Sequence, residues 1–256
     1  IAIYKGNQEK IPVILGSATP SLSSYSKYPY FRLKGGFKEG NKEYIFESSR
    51  EQLTPFIDTM IRQNHEQAHQ GIIFIPTRAN FKYLLCEACG ESVQCPFCSV
   101  GMSVHRNARM LKCHYCNYTE MMPKRCPKCQ SERLIHSRLG TAEAVEHFTA
   151  ELPDIKVHQF DRDVITTQNK LVKVLKAFND HEIDLLVGTQ MLSKGHDYHN
   201  VHLAVVFGLD NLLSQADYRA REKALALLIQ IAGRSGRAGD AKVVVQTLNE
   251  DFFKLY

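Results

Sequence analysis

The sequence predicts an α/β fold: a mainly parallel sheet covered on both faces and interrupted by a small insertion with two four-cysteine zinc sites. Two observations carry this. Short apolar runs alternate with amphipathic segments of helical period over most of the chain, the signature of βαβ units. All eight cysteines of the 256-residue chain lie inside that series as four C-x-x-C pairs, Cys86/Cys89, Cys95/Cys98, Cys113/Cys116 and Cys126/Cys129. Two residues between thiolates let one tight turn present both sulfurs to a tetrahedral ion, and two such turns complete a site. A disulfide framework fits poorly, because such scaffolds are short secreted chains, whereas most of this chain is free of cysteine.

In chain order, the apolar run 12–16 reads as a buried strand ending at the turn Ser17-Ala18-Thr19-Pro20. Residues 21–50 read as a connector with a short hairpin near 32–46. Leu53, Phe56, Ile57, Met60 and Ile61 recur at helical spacing within 51–69. There follow a strand at 71–75, the cysteine block, a helix around 142–152 and a strand at 156–160. Leu171, Val174, Leu175 and Phe178 mark the next helix. Strands at 184–187 and 202–207, a long helix over about 215–232 and a strand at 242–247 complete the series. The insertion, 86–135, needs a metal core because about 50 residues bury too little apolar surface to fold alone.

Spacing favours nested wiring of the zincs. The inner knuckles are separated as in a zinc-ribbon hairpin, so Cys95, Cys98, Cys113 and Cys116 take one ion, and Cys86, Cys89, Cys126 and Cys129 the other. Residues 102–105 and 109–112 alternate apolar and polar around Arg106-Asn107-Ala108, as the ribbon's hairpin. His105 and His114 are left as bystanders, since eight thiolates already fill two tetrahedra. A net charge of +5 is mildly basic and permits a nucleic-acid partner without demanding one. No apolar run approaches the roughly 18 residues of a membrane span, so no membrane partner is expected.

Two loops carry phosphate chemistry. Gln230-Ile231-Ala232-Gly233-Arg234-Ser235-Gly236-Arg237-Ala238-Gly239 closes a helix with two arginines, each preceded by glycine. Guanidinium forks on a bare backbone suit bidentate phosphate binding. Gly188-Thr189-Gln190-Met191-Leu192-Ser193-Lys194-Gly195-His196-Asp197-Tyr198 follows an apolar strand, where open α/β sheets bind ligands.

With Leu15-Gly16-Ser17-Ala18-Thr19-Pro20-Ser21 before them, these loops resemble motifs III, V and VI of superfamily 2 helicases, in that order. With eight cysteines inserted as well, nearly the whole chain resembles the PriA family of replication-restart DNA helicases. The resemblance implies a RecA-like second motor lobe at 71–85 and 136–256, with the end of a first lobe at 1–20 and a connector and helix at 21–70. It implies a bacterial, cytoplasmic, ATP-dependent helicase that moves 3′ to 5′, recognises abandoned forks and initiates primosome assembly. Forked or single-stranded DNA, primosome proteins and single-stranded-DNA-binding protein are the implied partners; the cofactors are two structural Zn²⁺ and ATP with Mg²⁺. By matching position, Arg234 and Arg237 face the γ-phosphate with Gln230 supporting them, while Gly188, Thr189 and Asp197 line the nucleotide cleft. Ser17 and Thr19 couple nucleotide state to DNA, and Gln190 and Lys194 reach the DNA backbone.

The chain departs from the family pattern at Pro76-Thr77-Arg78-Ala79-Asn80-Phe81, where only Arg78 of an Asn-Arg-Arg-Gly-Tyr-like string is kept, as a DNA or nucleotide contact. Asp161-Arg162-Asp163 matches another family string that carries no assigned role. No G-x-x-x-x-G-K-[ST] loop or Asp-Glu-Glu-His box is present, and both are expected upstream of Ile1. The chain by itself is therefore expected not to hydrolyse ATP. Two other classes compete: a non-catalytic zinc module that binds DNA or primosome proteins, and a different superfamily 2 motor for repair or recombination.

Overall fold

A computed structural model describes residues 2–255 except 33–39, 50–52, 77–81, 87, 90–92, 99–101, 106–109, 114–115, 138, 194–197, 214–217 and 238. The chain opens with α1 (Ala2–Glu9) and α2 (Leu22–Lys27). Next come β1 (Lys42–Glu47), α3 (Pro55–Glu66) and β2 (Gln70–Phe74). The cysteine region holds β3 (Lys82–Cys86), β4 (Ser103–His105), β5 (Met110–Lys112), β6 (Thr119–Met121) and β7 (Leu134–Ser137). Then follow α4 (Thr141–Glu151), β8 (Val157–Phe160), α5 (Gln168–Asn179), β9 (Leu185–Gly188) and β10 (Val201–Val206). The chain ends with α6 (Leu209–Leu213), α7 (Ala220–Ala232), β11 (Ala241–Gln246) and α8 (Glu250–Lys254).

Six strands form one wholly parallel sheet in the order β1-β11-β10-β2-β9-β8. Its central strands are buried on both faces, which is why they read as continuous apolar runs. Alternation sends Phe74, Leu186, Val206 and Val245 to one face, where Phe178 of α5 and Leu228 and Ile231 of α7 cover them. Ile73, Val187, Val205 and Val244 point to the other face, against Ile57 and Ile61 of α3 and Phe148 of α4. The result is a three-layer RecA-like lobe. α3 starts one residue after Thr54, whose hydroxyl caps the Ile57 amide, with Pro55 in the first turn where a missing N–H is harmless.

The cysteine region makes its own sheet, antiparallel, in the order β6-β5-β4-β3-β7. The expected ribbon hairpin is β4–β5, with Val104 opposite Leu111. Leu84, Val93, Met102, Val104 and Leu111 are its small core, with Cys95 and Cys113 among them. β3 and β7 pair Cys86 with Leu134, so the two ends of the insertion leave side by side.

Three expectations change. The run 12–16 is not a strand: its residues are exposed, Ile14 to 96%. Among the described residues no strand lies beside it, and an extended segment without a ladder leaves its backbone groups to water. Of the hairpin expected near 32–46, residues 33–39 lie outside the described residues, and the described part holds β1, which pairs parallel with β11 at the sheet edge and not with a hairpin partner. The long helix expected from 215 is α7, beginning at Ala220, with the separate turn α6 before it; 214–217 lie outside the described residues.

Candidate metal centres and phosphate-facing loops

The eight cysteines collect into two tetrads, Cys86/Cys89/Cys126/Cys129 and Cys95/Cys98/Cys113/Cys116, the nested pairing read from the spacing. In each, all four sulfurs lie within 4.8 Å of one another, and none of the eight is in a disulfide. Cys86–Cys129, Cys89–Cys126 and Cys95–Cys116 have sulfurs 3.5, 3.7 and 3.6 Å apart. Four thiolates at about 2.3 Å from a tetrahedral zinc would stand roughly 3.8 Å apart, so the donor sets fit the ion. β3, the β3–β4 connection, β5 and the turns after β6 each bring one knuckle, and the small antiparallel sheet sets their spacing.

Thiols packed this closely resist ionising together. The Cys116 thiol, then burial and Cys113, push Cys98 up to about 12. At Cys86, burial works the same way but is outweighed by the Cys89 backbone and the Cys129 thiol, which bring it to about 6. A divalent cation relieves this crowding by displacing protons.

The loop after β9 and the loop after α7 meet. Arg234 Nη2 donates to the Ser193 carbonyl at 2.7 Å. Beside it Tyr198 is fully buried, edge-on to Phe178; burial raises its hydroxyl pKa and Arg234 opposes the rise. The guanidinium is thus held by the loop that the sequence marks for phosphate contacts. Arg237, three residues on, is exposed. Between them Gly236 adopts φ +78°, a conformation costly for residues with a Cβ, and its amide donates to the Val201 carbonyl at 2.9 Å. Gly40 donates to the Gly236 carbonyl at 3.3 Å, so the connector before β1 braces the same loop.

Gly188 sits between β2 and β8, where an added Cβ would stand 2.2 Å from the Phe160 carbonyl oxygen. Close strand packing explains this glycine without a ligand. Thr189 is buried, its carbonyl accepting from Leu192, and Gln190 is exposed. Lys194, Asp197 and Arg78 lie outside the described residues.

Gln230 does not reach the arginines by any bond described; its Nε2 donates to Thr19 Oγ1 at 2.9 Å. Ser17 Oγ accepts from the Thr19 amide, and the Leu22 amide donates to Glu222 Oε1 at 3.1 Å. Residues 19–22 therefore lie antiparallel along α7, so the first and last of the three motifs touch. Sequence pattern does not reveal Glu222, nor that the Ser193 carbonyl of the marked loop holds Arg234, because both are contacts between distant segments. Asp161, to which the sequence assigns no role, is fully buried and accepts from Thr141 Oγ1 at 2.5 Å, Gln159 Nε2 at 2.7 Å and the Asp163 and Val164 amides. It ties the amino end of α4 to the loop after β8. No helix among the described residues is long and apolar enough to cross a membrane.

A family model described as the PriA DNA helicase Cys-rich region domain matches residues 95–120, and one described as the helicase conserved C-terminal domain matches 129–239. Replication restart protein PriA of Helicobacter pylori (strain ATCC 700392 / 26695) is 44% identical over 257 residues, covering 99% of this chain and 42% of that protein. The Bacillus subtilis PriA is 32% identical over 270 residues, 100% of this chain and 34% of the relative. That of Haemophilus influenzae is 32% identical over 260 residues, 96% and 36%. The chain thus spans about two fifths or less of the curated relatives it matches. One zinc tetrad falls inside the first family match, both loop arginines fall inside the second, and the likeness runs from end to end: the chain belongs to the PriA family.

Proposed function

We propose that this chain is the second motor lobe and the zinc-binding insertion of an ATP-dependent 3′–5′ DNA helicase that recognises stalled or abandoned replication forks and initiates primosome assembly. The observation that carries the reading is the paired-arginine loop, with Arg234 anchored on Ser193 and Arg237 turned outward. Anchoring fixes the loop before any ligand arrives, which is what stabilising charge on a transferring phosphoryl group requires. In this reading residues 71–85 and 136–256 are the lobe, completed by the edge strand β1 and the covering helix α3 from the connector 21–70, with 86–135 the insertion and 1–20 the end of the preceding lobe.

Arg234 and Arg237 would face the γ-phosphate of ATP across the interlobe cleft, with Gly188, Thr189 and Asp197 along its wall. Mg²⁺ would be held mainly by carboxylates of the preceding lobe. Thr19, with Ser17 behind it, would transmit the nucleotide state, and its bond to Gln230 supports that coupling. Gln190, Lys194 and Arg78 would contact the DNA backbone. The two Zn²⁺ would be structural, supporting a surface for primosome proteins and single-stranded-DNA-binding protein, in the bacterial cytoplasm at replication forks.

Magnesium-dependent ATP hydrolysis, measured on this chain alone and on the intact protein, tests the assignment. The intact protein is expected to turn over ATP and unwind a fork with 3′–5′ polarity, while this chain does neither. Turnover by this chain that Arg234→Ala abolishes would refute it.

A further inference from the structure

From Lys10 to Lys38 the sequence contains no aspartate or glutamate, yet it carries five basic residues, Lys10, Lys27, Arg32, Lys34 and Lys38. This stretch alone holds as much positive charge as the net +5 of the whole chain. Aromatic residues are interleaved with the charges, and their spacing follows neither a helical nor a strand period. Their arrangement is legible only in the fold. Tyr25 within α2 and Tyr30 beyond it stack with ring centroids 4.1 Å apart at 29°. Tyr28 lies between them in sequence, and all three rings remain about half exposed. Phe31, next to Arg32, is 99% exposed.

Among the described residues nothing covers Phe31, and the stacked tyrosines keep about half of their surface open. They leave π-faces open beside cations, the combination that takes successive bases while tracking a sugar–phosphate backbone. The strip is also held in place. The Ser21 hydroxyl caps α2 by accepting from the Ser24 amide, and the Leu22 amide is tied to Glu222 in the first turn of α7. One residue before the start of α7, Arg219 lies over the ring of Tyr218, itself 88% exposed.

We propose that residues 25–32 form a single-stranded nucleic-acid contact surface on which Tyr30 and Phe31 stack bases and Lys27 and Arg32 meet phosphates. A protein partner for the same aromatic patch is disfavoured by the acid-free, uniformly basic stretch, which complements a polyanion. The inference deepens the helicase reading by giving its DNA strand a surface, and rests on that reading for the choice of DNA.

The test is fluorescence anisotropy of a labelled oligo-dT of about 12 nucleotides with the zinc-loaded 256-residue chain at low salt. Tyr30→Ala and Phe31→Ala should each weaken binding at least about fivefold, Phe31→Tyr should restore it, and Lys27→Ala should flatten the salt dependence. Circular dichroism melting confirms that these surface changes leave the fold intact. Unchanged affinity in both alanine variants would overturn the proposal, as would equal affinity for a blunt duplex of the same length. It would equally be overturned if Phe31→Ala abolished self-association or capture of a protein while leaving oligo-dT binding untouched. None of these readouts involves nucleotide. ATP turnover in the intact protein that ignores Arg237→Ala would remove the motor reading and leave the strip standing, whereas normal dT binding by the aromatic variants would remove the strip alone.

Discussion

At the scale of single residues, function and stability are carried by side chains whose partners lie far away in sequence. Asp161 is the clearest case. Its two oxygens take four donors, so truncation removes the acceptor of the buried Thr141 hydroxyl and of two loop amides and leaves Gln159 only its longer bond to Thr141. Asp161→Ala is expected to destabilise the lobe by about 3 kcal/mol or more, read as a lower denaturant midpoint with unchanged slope. His69 gives a pH signature. Its ring stacks on His202 at 3.7 Å, and burial, then the His202 charge, lower its pKa below 6.5. The folded state then binds fewer protons than the unfolded chain, so the contribution is full above the unfolded value of about 6.5 and is lost as pH falls below it. His158, lowered by burial, acts in the same direction. Thermal midpoints should therefore fall between pH 7 and pH 5, and His69→Asn should flatten that fall; a profile identical to wild type would show that the stacked pair does not contribute. The cysteine tetrads are legible as residue spacing alone, because C-x-x-C geometry is local. The Gln230–Thr19 bond is not, since nothing local marks a contact spanning 211 positions.

At the scale of elements, apolar runs identify β2, β9, β10 and β11 because those strands lie inside the sheet, sandwiched between layers, and need no polar face, whereas β8 at the far edge is partly buried and carries the polar His158 and Gln159. β1 escapes the same reading for the converse reason. As an edge strand it is half solvated, and Lys42-Glu43-Tyr44-Ile45-Phe46-Glu47 carries polar residues that an interior strand would not. The run 12–16 looks like β2 in composition, but hydrophobicity without a neighbouring strand does not make a ladder. Within the insertion, five short strands enclose a core of only a few apolar side chains, so the metal has to supply what packing does not. Chelation is therefore expected to raise hydrogen exchange across 82–137 while β2, β9 and β10 stay protected. Loss of protection in those three central strands would show that the sheet depends on the zinc.

At the scale of the whole molecule, two separately built sheets share one chain. The parallel lobe places the arginine loop against the loop after β9, and residues 19–22 run along α7, bonded to it at Gln230 and Glu222. The insertion leaves and re-enters through the adjacent strands β3 and β7, so it can be carried without disturbing the order of the parallel sheet. The sequence carries the paired arginines and contains neither a G-x-x-x-x-G-K-[ST] loop nor an Asp-Glu-Glu-His box. The proposed motor role rests on Arg237 acting on the transferring phosphoryl group. DNA-stimulated ATP turnover by the intact protein carrying Arg237→Ala measures this most directly. A fall in kcat of about 10³-fold or more is expected, little recovered by Arg237→Lys, with zinc content and oligo-dT affinity unchanged; an unaltered kcat would contradict it.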